Sequence, residues 1–189
     1  MNNYYQEQIF NEVSLPNLET LKSSEFVNCT FNSINFSKLD ITLCKFMECH
    51  FENCNLSNIS LRGVGLREIV FEKCKLMGIN WAEVASLYSP VFNECLLDFS
   101  VFQSMHLTAA IFARCSLKDV DFYEANLLNS NFSESLLAGA SFNKANLAGA
   151  DFRGAEDYFI DLRETNIKRA KFSYPEAMTL LNALEIILE

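Results

Sequence analysis

From Phe26 to Trp81 every fifth residue is apolar, and the same beat runs from Phe92 to Phe172 with one failure, at Asp157. The two runs are separated by a slip: Trp81 to Phe92 is eleven residues, not ten. Leaving out the slip and Asp157, 28 of 28 in-phase positions are apolar. In a chain that is 50% apolar, chance gives this about 4 × 10⁻⁹ of the time before the phase is chosen. A period of five is neither that of a helix nor that of a flat strand. The repeat therefore belongs to the chain as a whole, and a stacked repeat architecture follows.

Around each centre the pattern continues. The residue two before it is small or aliphatic, and all seven cysteines stand there: Cys29, Cys44, Cys49, Cys54, Cys74, Cys95 and Cys115. Ala110, Ala125, Ala140, Ala145 and Ala150 share the position with Ser100, Ser130 and Ser135. The residue just before the centre is often Asn or Asp (Asn35, Asp40, Asn55, Asp121, Asn126, Asn131, Asn146, Asp151). Short polar side chains of this kind bond to neighbouring turn backbone.

The stretches "ANLLNSNFSES" and "ANLAGADFRGA" resemble the pentapeptide-repeat family, whose unit reads roughly A-[DN]-[LF]-x-x. The resemblance covers about residues 21–174. It implies an all-β fold, a right-handed quadrilateral β-helix with four pentapeptides to a coil and the centre and minus-two side chains inside. At about 4.8 Å per coil the stack is roughly 36 Å long. Residues 20 apart then stack, so Cys29 lies under Cys49, Cys54 under Cys74, and Cys95 under Cys115. If the slip adds one residue to its coil, Cys74 also lies under Cys95. Parallel thiols do not converge on a tetrahedral metal, and Cβ atoms about 4.8 Å apart are slightly too far for a relaxed disulfide. The cysteines read as small hydrophobes. The Phe/Leu alternation from Phe92 to Phe152 has period ten, which puts Phe on two opposite faces and Leu on the other two.

The expected organisation is an N-terminal segment 1–20, the β-helix 21–174 interrupted at 82–91, and a C-terminal α-helix 175–189. At the interruption either one residue bulges or about six form a loop, and Leu87 and Tyr88 are candidates for outward contact. Gly63 and Gly65 mark a flexible second irregularity. The tail leaves the beat after Tyr174, with Pro175 in a first helical turn. Its apolar residues cover most of the helix. One side plugs the open coil; the other, through Met178, Leu181, Leu184, Ile187 and Leu188, meets its twin in a homodimer.

Residues 155–181 are similar to the tail of topoisomerase-protecting pentapeptide-repeat proteins of the microcin-immunity and quinolone-resistance type. The matching residues are Ile160, Asp161, Asn166, Ile167, Ala170, Lys171, Phe172, Ser173 and Pro175, with Leu162 departing where a Pro is expected. This implies a DNA-mimicking rod that binds DNA gyrase or topoisomerase IV. The alternative is an interaction scaffold for another partner.

The charge agrees with mimicry. The formal net charge is −9, which excludes binding nucleic acid directly through its phosphates but suits a basic surface built to hold nucleic acid. Residues 119–166 carry nine carboxylates (Asp119, Asp121, Glu124, Glu134, Asp151, Glu156, Asp157, Asp161, Glu164) against Lys144, Arg153 and Arg163. These nine are the expected partner-binding surface. His50 and His106 fall on outward positions far apart, and no catalytic spacing, phosphate loop or metal motif accompanies them. The reading is a non-enzymatic protein without cofactor or metal. The polar N-terminus and the lack of an 18-residue apolar run point to a cytoplasmic protein not bound to membrane.

Overall fold

Each centre residue enters the core and each is followed by a tight turn. The carbonyl of Phe122 accepts from Ala125 N–H (3.0 Å), and that of Leu127 from Ser130 N–H (3.1 Å). The second residue after the centre takes a left-handed φ, including Leu43 (60°), Phe99 (62°) and Ala109 (58°). This conformation costs an ordinary side chain about 1–2 kcal/mol. The chain has only 6 Gly because most corners are made by other residues. The minus-one Asn and Asp side chains brace these turns: Asn131 Oδ1 accepts from Ser133 N–H (2.8 Å) and Asp121 Oδ1 from Tyr123 N–H (2.9 Å).

In the computed structural model, which describes residues 3–14 and 21–184, four such units close one coil, and about eight coils stack into a β-helix. Successive coils pair in parallel. Glu25–Val27 pairs with Lys45–Met47, and Lys45–Met47 with Gly65–Arg67. Isolated bridges continue the ladders, as in Asn126↔Asn146 and Asn146↔Asn166. The first strands come earlier than expected. Tyr4–Gln6 pairs with Glu25–Val27, and Ile9–Phe10 with Thr30–Phe31. The described part of the N-terminal segment thus supplies two sides of a further coil.

The core consists of four columns. The first face carries Tyr5, Phe26, Phe46, Leu66, Leu87, Leu107, Leu127, Leu147 and Ile167. The second carries nine phenylalanines, from Phe10 through Phe92 to Phe172. The third runs from Phe36 through Leu56, Leu76, Leu97 and Leu117 to Leu137. The fourth runs from Leu21 through Trp81, Phe102, Phe122 and Phe142 to Leu162. Along the second column neighbouring rings lie parallel at 4.7–5.4 Å, for example Phe31–Phe51 at 4.7 Å and Phe71–Phe92 at 5.4 Å. Rings of the second and fourth columns meet edge to face, Phe112–Phe122 at 5.5 Å and 77°. Both geometries are favoured by the aromatic quadrupole. The period-ten alternation therefore gives two aromatic and two aliphatic walls, as its spacing implies.

The break at 82–91 is a single inserted residue. Gly65 pairs with Ser86 and Lys75 with Leu96, a step of 21, before the step of 20 resumes at Leu96↔Ser116. The extra residue is taken up between Trp81 and Leu87, where Trp81–Glu83 forms one 3-10 turn with Asn80 as its cap. This corrects the expectation for Leu87. It is only 7% exposed and serves as a core centre of the first face, because keeping the column filled outweighs freeing a loop. Tyr88 does project, with 63% exposure. A second slip explains the failure at Asp157. Asp157 is exposed, and the adjacent Tyr158 is buried against Phe152 and Phe172 instead.

The C-terminal element differs from the α-helix expected over 175–189. Glu176–Leu184 is a 3-10 helix. In a 3-10 helix side chains three apart align, which places half-buried Ala177 and Leu180 in one row, with Leu180 packed on the core. Met178 is exposed and Leu181 half-buried. The side chain of Leu184, and all of Ile187 and Leu188, lie outside the described residues.

Phe112 is fully buried between Phe92 and Phe132, 5.1 Å from each. Phe112→Ala leaves a cavity in a column that cannot collapse, so chemical denaturation is expected to show a loss of about 3–5 kcal/mol.

Candidate partner interface

Which of the four pentapeptides of a coil a residue belongs to decides its face, and this distributes the nine carboxylates over three faces. Asp121, Glu124, Asp161 and Glu164 lie on the fourth face. Glu134 and Asp151 lie on the second. Asp119, Glu156 and Asp157 lie on the third. The first face has none. The acidic segment is thus a partial sleeve around the rod, and one planar patch does not unite it.

Local pairing moderates this charge. Arg153 grips Asp151 two residues before it (2.6 Å), and Lys171 approaches the same carboxylate at 3.8 Å. Arg163 grips Asp161 in the same way at 2.7 Å. The Arg163 hydrogen bonds hold the Asp161 carboxyl down at about 2. Asp151 is likewise lowered, first by the Arg153 hydrogen bonds. Lys144 lies 3.8 Å from Glu124 and donates to the Tyr123 hydroxyl at 2.8 Å. Asp121 accepts from Gln103. Glu134, Glu156 and Glu164 are exposed and enter no ion pair among the described residues.

The first face is different in kind. Between Val84 and Arg169 its outward residues include no carboxylate. An amide ladder runs along it: Asn166 Nδ2 donates to Asn146 Oδ1 (2.9 Å), and Asn146 Nδ2 to Asn126 Oδ1 (3.1 Å). Tyr88 overhangs a groove of about 420 Å³ lined by Val84, Met105, His106 and Thr108. A second groove lies farther along, between Leu128 and Arg169. On the third face Leu96, Phe99 and Leu136 stand exposed at outward positions. Sequence reasoning passed over these three; their signal was apolar residues out of phase with the beat.

The cysteines sit where the stacking places them, including Cys74 beneath Cys95 across the slip. All seven are buried thiols. Each in the long column donates to a carbonyl of the preceding coil: Cys54 to Phe31 O and Cys74 to Phe51 O at 3.3 Å, Cys95 to Phe71 O at 3.4 Å, Cys115 to Phe92 O at 3.5 Å. Burial pushes the Cys44 thiol up to about 11 and Cys49 to about 12. Cys44 and Cys49 are thus held as thiols and pack as small hydrophobes. His50 Nε2 lies 3.4 Å from Glu72, while His106 lines the groove under Tyr88, on another face. Among the described residues no group of His, Cys, Asp and Glu is arranged to hold a metal ion, and no helix is long and apolar enough to cross a membrane.

Comparison with known proteins places this architecture. The family description "Pentapeptide repeat region" matches residues 81–152 and 105–177, and "Pentapeptide repeats (8 copies)" matches 44–80. No curated protein matches the chain. Among solved structures, trypsin-treated QnrB1, a plasmid-mediated fluoroquinolone resistance protein, is 19% identical, with 100% of this chain and 99% of that chain covered and a TM-score of 0.42. HetL, a pentapeptide-repeat protein involved in heterocyst differentiation regulation in the cyanobacterium Nostoc sp. Strain PCC 7120, is 17% identical, with 90% and 87% covered and a TM-score of 0.36.

Two outcomes follow from these environments. Ellman's reagent at pH 8 is expected to label none of the seven thiols in the folded protein and all of them in denaturant; fast labelling of native Cys54, Cys74, Cys95 or Cys115 would contradict the sealed column. In a carboxyl NMR titration Asp161 is expected to titrate near 2. A depressed carboxylate favours the folded state above its ordinary value, and that contribution fades as the pH falls from about 4 towards 2. Arg163→Gln should return the Asp161 midpoint to the ordinary range.

Proposed function

The chain belongs to the pentapeptide-repeat family, and from that premise we propose that it imitates duplex DNA to bind a type II topoisomerase, DNA gyrase or topoisomerase IV, and protects it from a quinolone or a gyrase-poisoning toxin. The observation that carries this reading is the density of charge along the rod. Residues 119–166 cover about 2.4 coils, or about 11.5 Å at ~4.8 Å per coil. Nine carboxylates against three basic residues leave six negative charges there, about one per 1.9 Å of axis. Duplex DNA carries one per about 1.7 Å. Averaged over about eight coils, the chain's −9 is only about one per 4 Å, so the match is local to this segment.

The sleeve also presents charge in more than one direction, as a duplex does, and a saddle that grips DNA from several sides would meet carboxylates on three faces. The similarity of the tail, Ile160 to Pro175, to topoisomerase-protecting members supports the same reading. Binding needs no chemistry from this protein, which acts by occupancy rather than catalysis. Exposed Met178 and half-buried Leu181 are offered as part of a two-fold contact that doubles the rod and brings its acidic segments together near the centre.

The test is DNA supercoiling by purified gyrase, with the protein titrated in, with and without a fluoroquinolone. Restored supercoiling in the presence of drug is the expected result, weakening as salt rises. Glu134→Gln, Glu156→Gln and Glu164→Gln together remove half of the local net charge and should raise the protective concentration at least tenfold. Unchanged potency in this triple variant, with its fold intact by circular dichroism, would defeat the mimicry reading.

A further inference from the structure

We infer that the far end of the first face is a second docking site, which takes an acidic segment of a partner protein bearing a carboxylate beside an apolar side chain. The inference goes beyond the topoisomerase reading and does not rest on it, since it uses the one face the acidic sleeve leaves bare.

A groove of about 370 Å³ is lined by Leu128, Asn129, Ala148, Gly149, Lys168 and Arg169. Its floor is apolar and low. Gly149 has a φ of +69°, and any side chain there would run into Asn129 Oδ1 of the coil below. Glycine thus keeps the floor open where a bulkier corner residue would fill it. The wall is cationic. Lys168 and Arg169 are both exposed and enter no ion pair among the described residues, whereas Arg153, Lys171 and Lys144 nearby are each matched to a carboxylate. The backbone under this pair is fixed: Gly149 N–H donates to Lys168 O at 2.9 Å, and Asn166 Oδ1 accepts from Lys168 N–H at 3.2 Å. Two adjacent cations with no ion-pair partner among the described residues, on a chain of net charge −9, are an electrostatic opening for one anionic group.

Charge and shape together select the occupant. A nucleic acid brings a continuous line of phosphates, which the surrounding carboxylates repel. A peptide brings one carboxylate for the Lys168/Arg169 pair and an aliphatic neighbour for Leu128 and Ala148, and it meets no repelling carboxylate along the face towards Tyr88. Interfaces of proteins have this character, depleted of charge at the centre and rich in Tyr.

The test is a titration of the ¹⁵N-labelled protein with the synthetic peptide acetyl-Leu-Asp-Leu-Glu-amide, followed by amide NMR. Shifts confined to Asn129, Ala148, Gly149, Lys168 and Arg169 are expected, at least fivefold weaker with the neutral peptide acetyl-Leu-Asn-Leu-Gln-amide. Lys168→Glu with Arg169→Glu should weaken acidic-peptide binding at least tenfold, and the milder Lys168→Gln with Arg169→Gln should give an intermediate loss. Lys73→Glu, on the second face, should leave binding unchanged. Absence of shifts, equal shifts with both peptides, or equal shifts with inorganic phosphate alone would each overturn the inference. Gyrase enters none of these arms, so this outcome is separate from that of the supercoiling assay.

Discussion

The structure depends on the parallel pairing of each coil with the next at a step of 20 residues. A bond such as Leu127 N–H to Asn146 O at 2.9 Å, with its return from Asn146 N–H to Ala125 O at 2.9 Å, does more than satisfy two backbone groups. It places Leu127 directly beneath Leu147, and so fixes what every core side chain must stack upon. Once this register is set, a Phe stacks on a Phe and a Leu on a Leu, and walls form without long-range planning by the sequence. The register also explains why the insertion near Trp81 is harmless. The step becomes 21 on all four faces at once, from Gly65↔Ser86 to Asn80↔Val101, so no ladder is left out of phase.

The second constraint is the corner. A coil of four sides needs four abrupt turns, and this chain makes most of them with residues that resist the left-handed conformation, Leu43, Phe99 and Ala109 among them. That strain is tolerated because the bonds on either side of the corner over-determine it. At Gly139 and Gly149 a further reason for glycine applies: the Asp119 and Asn129 side chains below lean into the space a Cβ would take.

The inward half of the fold was legible in the sequence because a buried position admits few residue types. The beat located the centres, the minus-two position located the thiols, and the period-ten alternation located the aromatic walls. What escaped were places where a local shift by one residue keeps the interior filled. Leu87 looked like part of a loop, yet it is a centre of its column once the extra residue is assigned to the turn before it. Asp157 looked like a lost centre, but Tyr158 fills the space. The tail read as an α-helix because it leaves the beat with Pro175 in a first turn and apolar residues around most of the helix, whereas Glu176–Leu184 is a 3-10 helix that packs Leu180 on the core. The candidate site was less legible. Outward positions follow no period, so linear sequence groups Asp121 with Asp119, two neighbours that point out of different faces.

This separation of inside from outside shapes how such a molecule can carry function. Most of the stability resides in the inward columns, so outward positions that do not brace a turn are free to hold their own chemistry on each face. Three faces share the carboxylates of residues 119–166, and the first holds amides, Tyr88 and the Lys168/Arg169 pair. A globular domain would bring such groups into one cleft by folding, whereas a solenoid keeps them apart at fixed distances of about 4.8 Å along the axis and a quarter turn around it. The groups on such a surface are described by linear density and by angle about the rod, the same two quantities that define the phosphates of a duplex.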